Sequence, residues 1–309
     1  MKVNIQKDYG NNNKRLPFRD AYLKYKEKKM KLNNLNIPEI GLGTWLIPND
    51  KVGEVVKNAI DVGYRHIDTA QAYGNEEGIG KALEEINIKR EELFITTKVM
   101  AEIKNYEGAK QSILDSLKRL RTDYIDLILI HCPVPWAEYA NRTKDYFKEN
   151  LEVWRALEEA LEEGKVKAIG VSNFNEADIE NIAKNSKIKP MVNQIMCHAG
   201  KTPIRLMEYC MKEGIVVESY SPIAHGEADR IKAVNEIALK YHKSFAQICI
   251  KYCLELGTVA LPKASSREHL LNNLDLNFEI SKEDMEYLLK AQNLDNYGKH
   301  DFFPIFRKK

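Results

Sequence analysis

Four side chains that can exchange protons lie at the ends of short apolar segments. Asp68 and Tyr73 are five residues apart in HIDTAQAYGNE, Lys98 ends LFITTK, and His131 follows DLILI. An ordinary tyrosine titrates near pH 10, so Tyr73 alone is a poor acid at neutral pH. A nearby ammonium group stabilises the phenolate and lowers the pKa of a tyrosine.

Together the four groups predict a proton donor for an oxygen atom that gains negative charge. Asp68 would keep Lys98 charged in a buried place. Lys98 would lower the pKa of Tyr73, and His131 would hydrogen-bond the substrate oxygen. The matching half-reaction is the arrival of a hydride at a carbonyl carbon, which needs no nucleophilic serine or cysteine. We therefore predict these four as catalytic residues, and no metal site.

Each residue also has an ordinary structural explanation when it is taken alone. Asp68 can cap the helix that follows it, and Tyr73 can be a packed ring with a bonded hydroxyl. Lys98 can be a surface lysine, and His131 a core histidine with satisfied hydrogen bonds. The functional interpretation depends on all four side chains meeting at one place in the fold.

Short apolar segments alternate with amphipathic helices from residue 30 onward. The predicted strands are Glu39–Gly43, His66–Asp68, Leu93–Lys98, Ile125–His131, Val166–Ser172, Met191–Gln194, Val216–Tyr220 and Thr258–Pro262. The predicted helices of the repeat are Lys51–Val62, Glu77–Glu85, Glu107–Leu120, Leu151–Glu163, Ala177–Lys184, Pro203–Glu213, Ala233–Tyr241 and Arg267–Asn273. Eight βα units without a break in composition predict a (β/α)8 TIM barrel of the α/β class.

Three further elements lie outside this repeat. The stretch MKLNNLNIPEIGLG predicts a hairpin that turns at Asn33-Asn34. Phe245–Leu256 and Lys282–Asn293 are predicted as two extra helices.

The carboxyl ends of the strands of such a barrel are where its chemistry takes place. Besides the four residues above, the predicted strand ends carry Ser172, Asn173, Gln194, Tyr220, Ser221 and Lys263. The first strand is not followed by a G-x-G-x-x-G turn, and no Walker-type loop occurs in the sequence. A nucleotide in this protein would therefore not be held by a Rossmann or P-loop device.

Charge and composition restrict the classes of partner. The 309-residue chain has a net charge of +2, which indicates neither nucleic-acid nor membrane binding. The first 30 residues carry a charge of +6, which leaves −4 for the remainder. We interpret residues 1–29 as a flexible basic extension, with an anion-binding tail as the alternative, and residues 30–309 as one domain. Five scattered cysteines favour free thiols in a reducing cytoplasm.

The sequence resembles the aldo-keto reductases over roughly residues 30–296. The motifs that carry the resemblance are GLGTW (41–45), HIDTAQAYGNEEGIGKAL (66–83), LFITTKV (93–99), SLKRLRTDYIDLILIHCP (116–133), GKVKAIGVSNF (164–174), VNQI (192–195), YSPI (220–223) and LPKASS (261–266). The resemblance implies a barrel whose bottom is closed by the hairpin and whose mouth holds a nicotinamide cofactor. It also implies that Tyr73 is the general acid in the reduction of an aldehyde or ketone.

Cofactor-binding residues follow from the same resemblance. Ser172, Asn173 and Gln194 would hydrogen-bond the carboxamide, and Tyr220 would stack on the nicotinamide ring. The other implied cofactor residues are Gly43, Thr44, Trp45, Ser221, Pro222, Ile223, Lys263, Ser265, His269 and Asn273. Ala264 stands where the family usually has Ser or Thr, and His269 where an Arg commonly contacts the 2′-phosphate. Because a charged bidentate contact is lost, NADPH is expected but NADH or dual use stays open.

The substrate pocket is less determined. The predicted substrate residues are Trp45, Tyr73, His131 and Trp136, with His225, Phe302 and Phe303 as further candidates. The chain looks most like bacterial members that reduce sugar-derived ketones, methylglyoxal and assorted aldehydes, and we expect a monomer in the cytoplasm. Two other functions stay open: a redox-sensing cofactor-binding module with little turnover, and a lyase that forms a Schiff base at Lys98.

Overall fold

Eight parallel strands form the centre of the protein. The computed structural model describes residues 31–32 and 35–307, so the predicted extension at residues 1–29 lies outside the described residues. After the hairpin strands β1 (Lys31–Leu32) and β2 (Leu35–Asn36) come β3 (Leu42–Gly43), β4 (His66–Asp68), β5 (Phe94–Val99), β6 (Leu127–Ile130), β7 (Ile169–Ser172), β8 (Val192–Met196), β9 (Val216–Tyr220) and β10 (Val259–Leu261). Strands β3 to β10 pair in chain order.

Hydrogen bonds between the two ends of the sheet close the barrel. Gly41 N donates to Ala260 O at 2.9 Å, and Ala260 N donates to Glu39 O at 2.8 Å. Gly43 N donates to Pro262 O at 3.0 Å in the same seam. The sheet therefore has no free edge between β3 and β10, and the predicted (β/α)8 barrel is confirmed.

Ten helices of the described residues surround the barrel, and each buries apolar residues on one side. They are α1 (Asn49–Asp61), α2 (Glu76–Glu85), α3 (Tyr106–Leu120), α4 (Phe147–Glu162), α5 (Glu176–Asn185), α6 (Ile204–Glu213), α7 (Lys232–Tyr241), α8 (Phe245–Glu255), α9 (Arg267–Leu274) and α10 (Lys282–Leu289). Asn175 and Ser244 form capping boxes that begin α5 and α8. Such caps satisfy backbone N–H groups that have no partner within the helix.

The structure corrects the assignment of the extra helices. We predicted Phe245–Leu256 as extra and Ala233–Tyr241 as part of the repeat, but α8 packs against β10 and α9, whereas α7 packs against α10. Both helices have helical periodicity, so the period alone could not show which one covers a strand. The continuous buried run Gln247–Ile250 in α8 indicates the more enclosed helix. The last helix also ends at Leu289 rather than at Asn293.

The two strands of the predicted hairpin are present, whereas its predicted turn at Asn33-Asn34 lies outside the described residues. Its strands pair antiparallel, with Lys31 opposite Asn36 and Leu32 opposite Leu35. Ile37, directly after the hairpin, packs against the apolar cluster that includes Phe94, Leu127 and other residues at the amino ends of the strands. No described helix combines the length and the hydrophobicity needed to cross a membrane.

Candidate active site

A cavity of about 340 Å³ opens at the carboxyl ends of the strands. It is lined by Gly43, Trp45, Leu46, Asp68, Tyr73, His131, Trp136, Ser172, Asn173, Gln194, Tyr220, Ser221, Pro222, Ile223, His225, Gly226, Leu261, Lys263, Lys299, His300, Phe303, Ile305 and Phe306. Most of the residues predicted from the strand ends therefore share one cavity. This is the end of a (β/α)8 barrel at which active sites are found.

Lys98 lies beneath the cavity and joins Asp68 to Tyr73. Its Nζ donates to both carboxylate oxygens of Asp68 at 2.8 Å and to the carbonyl oxygen of Thr69 at 2.8 Å. The same ammonium group lies 3.5 Å from the Tyr73 hydroxyl. Adjacent strands bring these groups together, because β4 ends in Asp68 and β5 carries Lys98 one position before its end. Asp68 and Lys98 thus form a buried ion pair beside the phenol.

His131 faces the same phenol from the neighbouring strand end. Its ring centre lies 5.7 Å from that of Tyr73 and 5.2 Å from that of Trp136. The buried Nδ1 of His131 has no hydrogen-bond partner among the described residues. All four predicted catalytic side chains therefore meet at one place.

The ordinary structural explanations fail for three of these residues. Asp68 does not cap α2, because the N-cap position belongs to Asn75 and the carboxylate is bound to Lys98. Lys98 is fully buried, so it is not a surface lysine. His131 is not a satisfied core histidine, since its Nδ1 lacks a partner in the described part of the chain.

Burial determines the ionisation of this cluster. It raises the pKa of Tyr73 above the usual value, although the charge of Lys98 lowers it. The predicted fall of this pKa is therefore wrong for the protein alone: Lys98 acts in the expected direction, but desolvation outweighs it. Burial also lowers the pKa of Lys98, yet the charge of Asp68 reverses this and the net pKa is raised. The resting site holds a charged lysine and a protonated phenol.

The neighbouring imidazole is kept neutral. Burial, assisted by the charge of Lys98, holds the pKa of His131 well below its usual value. A neutral imidazole can donate a hydrogen bond to a substrate oxygen without adding a charge to the cavity.

A loop between β4 and α2 is fixed by side chains that the sequence analysis did not single out. Asn75 Nδ2 donates to the carbonyl oxygens of Thr44 and Ile47 at 2.9 and 3.0 Å. The hydroxyl group of Thr69 donates to Asn75 Oδ1 at 2.7 Å. The sequence signal for this role is the pair Gly74-Asn75, which is typical of a turn. In the structure Gly74 has a positive φ of 67°. These bonds hold Tyr73 in position over Lys98.

The opposite side of the cavity carries linked polar side chains. Ser172 Oγ donates to Gln194 O at 2.9 Å, and Asn173 Nδ2 donates to His131 O at 3.0 Å. The Tyr220 hydroxyl donates to Asn173 Oδ1 at 2.7 Å. The side chains of Ser172, Asn173 and Tyr220 are thereby held in fixed orientations at the mouth.

This arrangement fits the carboxamide of a nicotinamide cofactor. Gln194 Nε2 donates one hydrogen to Asp68 Oδ1 and the other to Glu218 Oε2, both at 2.8 Å. The carbonyl oxygen of the Gln194 side chain is therefore the atom left to accept a hydrogen bond from a ligand. Because Gln194 lines the cavity, an amide N–H₂ group is a matching donor.

Among the described residues, no cluster of His, Cys, Asp and Glu is arranged to hold a metal ion.

Comparison with known proteins supports the same assignment. Residues 39–293 match the model of the Aldo/keto reductase family. The chain belongs to this family. It is therefore an NAD(P)H-dependent oxidoreductase that acts on carbonyl compounds.

Individual relatives of this aldo-keto reductase cover most of its length. It is 41% identical to a glyoxal reductase of Bacillus subtilis, over 82% of this chain and 88% of the relative. It is 37% identical to the methylglyoxal reductase DkgA of Escherichia coli K12, over 87% and 95% of the two chains. A solved Bombyx mori aldo-keto reductase in complex with NADP is 32% identical with a TM-score of 0.76, covering 84% of this chain and 91% of that one.

Some residues of this aldo-keto reductase lie outside the cavity although they were predicted to bind the cofactor. Thr44 is buried behind it, where its hydroxyl donates to Asp68 O at 2.9 Å. Ser265 is exposed just before α9, His269 is exposed in its first turn, and Asn273 is buried in the same helix. Their roles toward the adenosine part of a cofactor stay predictions.

The carboxyl-terminal segment contributes more to the cavity than the sequence analysis proposed. Lys299, His300, Phe303, Ile305 and Phe306 all line it. Phe303 was a candidate, whereas its neighbour Phe302 lies outside the cavity lining and stacks on Trp45 with ring centres 6.4 Å apart. The signal for the other residues was the aromatic and basic stretch GKHDFFPIFRKK. Its position could not be inferred from periodicity because it contains no long helix or strand.

Proposed function

We propose that the protein reduces a small aldehyde or ketone to an alcohol with NADPH, and that Tyr73 is the general acid. The observation that carries this proposal is the position of Lys98, 2.8 Å from Asp68 and 3.5 Å from the Tyr73 hydroxyl. Tyr73 and Asp68 both line the cavity, whereas Lys98 lies beneath it.

The proton transfer follows from these contacts. The bound nicotinamide would supply the hydride, and the carbonyl oxygen would gain negative charge as the hydride arrives. Tyr73 stays protonated in the resting enzyme because burial raises its pKa, so it is available as a donor throughout the neutral range. As the phenolate forms, the adjacent Lys98 ammonium stabilises it. His131 would orient the carbonyl oxygen by a hydrogen bond.

The cavity favours a small substrate. Trp45, Trp136 and Phe303 give it aromatic walls, and the Trp136 and Phe303 ring centres are 4.7 Å apart. We propose small dicarbonyl compounds as the substrate class, because the walls are close together and two relatives are named glyoxal and methylglyoxal reductases. The buried Nε1 of Trp136 has no partner among the described residues, so it is a free donor for a second carbonyl oxygen.

The cofactor would lie across the mouth with its carboxamide beside Ser172, Asn173 and Gln194. Tyr220 would cover the nicotinamide ring, and the backbone of Ser221 to Ile223 would approach the diphosphate. Lys263 is exposed at the rim, where its charge favours a phosphate group. We propose NADPH for this reason, with weaker discrimination than an arginine at position 269 would give.

Replacement of the proposed acid tests the assignment. Tyr73→Phe removes the donated proton, and we expect kcat for methylglyoxal to fall by at least about a hundredfold while the Kd for NADPH changes little. Cofactor binding is measured by fluorescence titration and turnover by NADPH oxidation. Tyr209→Phe is the matched control, since Tyr209 is also partly buried but lies outside the cavity. Near wild-type turnover in Tyr73→Phe would refute the proposed acid.

The redox-sensing module is the second candidate, and the same four residues, Asp68, Tyr73, Lys98 and His131, would be present in it. It is distinguished by turnover: with the wild-type protein, the oxidation of NADPH by several aldehydes is measured with and without residues 1–29. Turnover in both supports the reductase, and no turnover with any carbonyl supports the sensor. A Schiff-base lyase is disfavoured because Lys98 is held charged by Asp68 and is absent from the cavity lining.

We further propose that the enzyme is a monomer of the cytoplasm. The support is that Cys132, Cys197, Cys210, Cys249 and Cys253 are all free and buried, which suits a reducing compartment. Size-exclusion chromatography with light scattering tests the oligomeric state. A mass of twice that of the chain would contradict it.

A further inference from the structure

Glu218 is a carboxyl group in the interior of the barrel that the reaction described above does not use. It lies in β9 within the sequence VVESY and is fully buried. Its Oε2 accepts a hydrogen bond from Gln194 Nε2 at 2.8 Å, whereas its buried Oε1 has no partner among the described residues. A buried carboxyl with only one hydrogen bond is costly to keep ionised, so its presence needs an explanation.

Gln194 links this group to the catalytic ion pair. The same amide nitrogen also donates to Asp68 Oδ1 at 2.8 Å, and Asp68 is bound by the Lys98 ammonium at 2.8 Å. The charged groups that face Glu218 are therefore Asp68 from β4 and Lys98 from β5, while its register partner in β10 is the apolar Val259. The Gln194 amide thus bridges two carboxyl groups, Asp68 and Glu218, that lie near one cation, Lys98. Lys98 directly pairs only with Asp68, which leaves Glu218 without a counter-charge at hydrogen-bond distance in the described part of the chain.

We propose that Glu218 is a positioning residue that is held as a neutral carboxylic acid, fixes the orientation of the Gln194 amide, and controls the relative affinity for oxidised and reduced cofactor. This inference rests on the proposed function, because it requires the nicotinamide carboxamide to lie beside Gln194. With both amide hydrogens bound by carboxyl groups, the Gln194 side-chain oxygen is directed to the ligand. The neutral acid also keeps a second negative charge away from the nicotinamide ring.

Ionisation of Glu218 would change that balance. The oxidised nicotinamide ring is positively charged and the reduced ring is neutral, so a second carboxylate nearby selectively favours NADP⁺. Burial, with a contribution from the charge of Asp68, raises the pKa of Glu218 to about 8. Glu218 is therefore neutral at pH 7 and ionises as the pH rises through this value. At neutral pH the neutral acid lets the oxidised product cofactor leave, and at alkaline pH the carboxylate retains it.

Cofactor binding without turnover tests this proposal. The Tyr73→Phe protein removes the titration of the phenol, and it is compared with the Tyr73→Phe/Glu218→Gln double variant. The Kd for NADPH is measured by fluorescence and that for NADP⁺ by displacement, at pH 7 and pH 9. We expect NADP⁺ to gain on the order of fivefold in affinity relative to NADPH between these pH values with Glu218 present. Because glutamine does not ionise, the double variant should show a ratio of the two Kd values that is constant within about twofold.

A second measurement does not depend on the double variant folding. Calorimetric titration of the Tyr73→Phe protein at pH 8, in two buffers of different ionisation enthalpy, reports protons released on binding. We expect release with NADP⁺ and not with NADPH. An equal pH dependence with and without Glu218, or equal proton release for both cofactor forms, would overturn the role of Glu218 alone. Failure of the wild-type protein to bind NADPH would instead overturn the proposed function on which it rests.

Discussion

Tyr73 is placed where a phenol is normally least acidic, and the site compensates through one neighbour. Desolvation raises its pKa, and the charge and hydrogen bond of Lys98 lower it. In the proposed mechanism the proton therefore stays on Tyr73 until a negative oxygen forms in the cavity. Asp68 touches neither the phenol nor, in our proposal, the substrate. It acts through Lys98 and is a positioning residue.

Replacing Asp68 with Asn separates this indirect role from that of Tyr73. The charge of Asp68 raises the pKa of Lys98, so its removal lowers that pKa and the lysine loses its proton at a lower pH. If charged Lys98 is required, the alkaline limb of the pH profile of kcat/KM moves to lower pH in Asp68→Asn. We expect the rate at pH 7 to fall by roughly tenfold to a hundredfold, less than in Tyr73→Phe. A profile of unchanged shape would contradict the role given to Asp68.

We predict that cofactor preference depends on a different residue, the exposed His269 in the first turn of α9. Its backbone N–H is bound by Ser266 Oγ at 3.2 Å, so the backbone there is fixed while the side chain is free to be exchanged. His269→Arg adds a charged fork that suits a phosphate, and we expect the Kd for NADPH to fall about tenfold while that for NADH is unchanged. His242→Arg, at another exposed histidine, is the control. Equal tightening of both cofactors would argue against a 2′-phosphate contact.

At the scale of elements, close helix packing around the catalytic loop depends on two glycines of α2. A Cβ on Gly78 would lie 2.2 Å from Asn49 O, and a Cβ on Gly80 would lie 2.2 Å from Arg119 O. The helix following Tyr73 is therefore held directly against its neighbours α1 and α3. Buried Glu76 adds a further tie, since it accepts hydrogen bonds from Thr97 and Arg119 at 2.6 and 2.7 Å.

We expect Gly80→Ala to destabilise the protein by about 1–3 kcal/mol, because its methyl group must displace the backbone of α3. Urea denaturation measures the change. Gly108→Ala is the matched helical substitution: its Cβ would meet the flexible Asn105 side chain at 3.1 Å, and alanine favours the helix by up to about 1 kcal/mol. Equal stability of the two variants would show that the contact with Arg119 is not limiting.

At the scale of the whole molecule, the barrel buries ionisable groups whose pKa values oppose one another. Burial lowers the pKa of His66 and of His198 to about 4, whereas it raises that of Glu218 to about 8. Below pH 6.5 the two histidines bind protons in the unfolded chain but stay neutral in the folded chain. Between pH 4.5 and 8 the folded chain holds a proton on Glu218 that the unfolded chain has lost.

The resulting pH dependence of stability has a defined sign. As pH falls from about 6.5 toward 4, each buried histidine lowers the free energy of unfolding by about 1.4 kcal/mol per pH unit. Glu218 raises the free energy of unfolding as pH falls over the same interval. Above about pH 6.5, where the histidines no longer titrate, Glu218 lowers it as pH rises to about 8. We expect the urea midpoint to fall on acidification from about pH 6.5 to 5. The urea midpoint of Glu218→Gln should fall more steeply there and stay constant between about pH 6.5 and 7.5, below the pKa of about 8 to which burial lowers Lys104.

Much of the site could be predicted from the sequence because its signals are local. Asp68 and Tyr73 lie in one short segment. A buried parallel strand is recognised in the sequence as an apolar run, which here ends in a polar residue. Since the carboxyl ends of all eight strands meet at one mouth, strand order alone places Lys98 and His131 beside them. The family motifs added the cofactor side of the same mouth.

Other features were decided only by the tertiary structure. Gln194 hydrogen-bonds both Glu218 on the adjacent strand and Asp68, which is 126 positions away along the chain. No periodicity in the sequence reveals which polar atoms share a hydrogen bond. The choice between α7 and α8 as the helix that covers the barrel depended on what each packs against. The pKa of Tyr73 rose rather than fell because desolvation is a sum over all surrounding atoms, and that sum exists only when the barrel has closed.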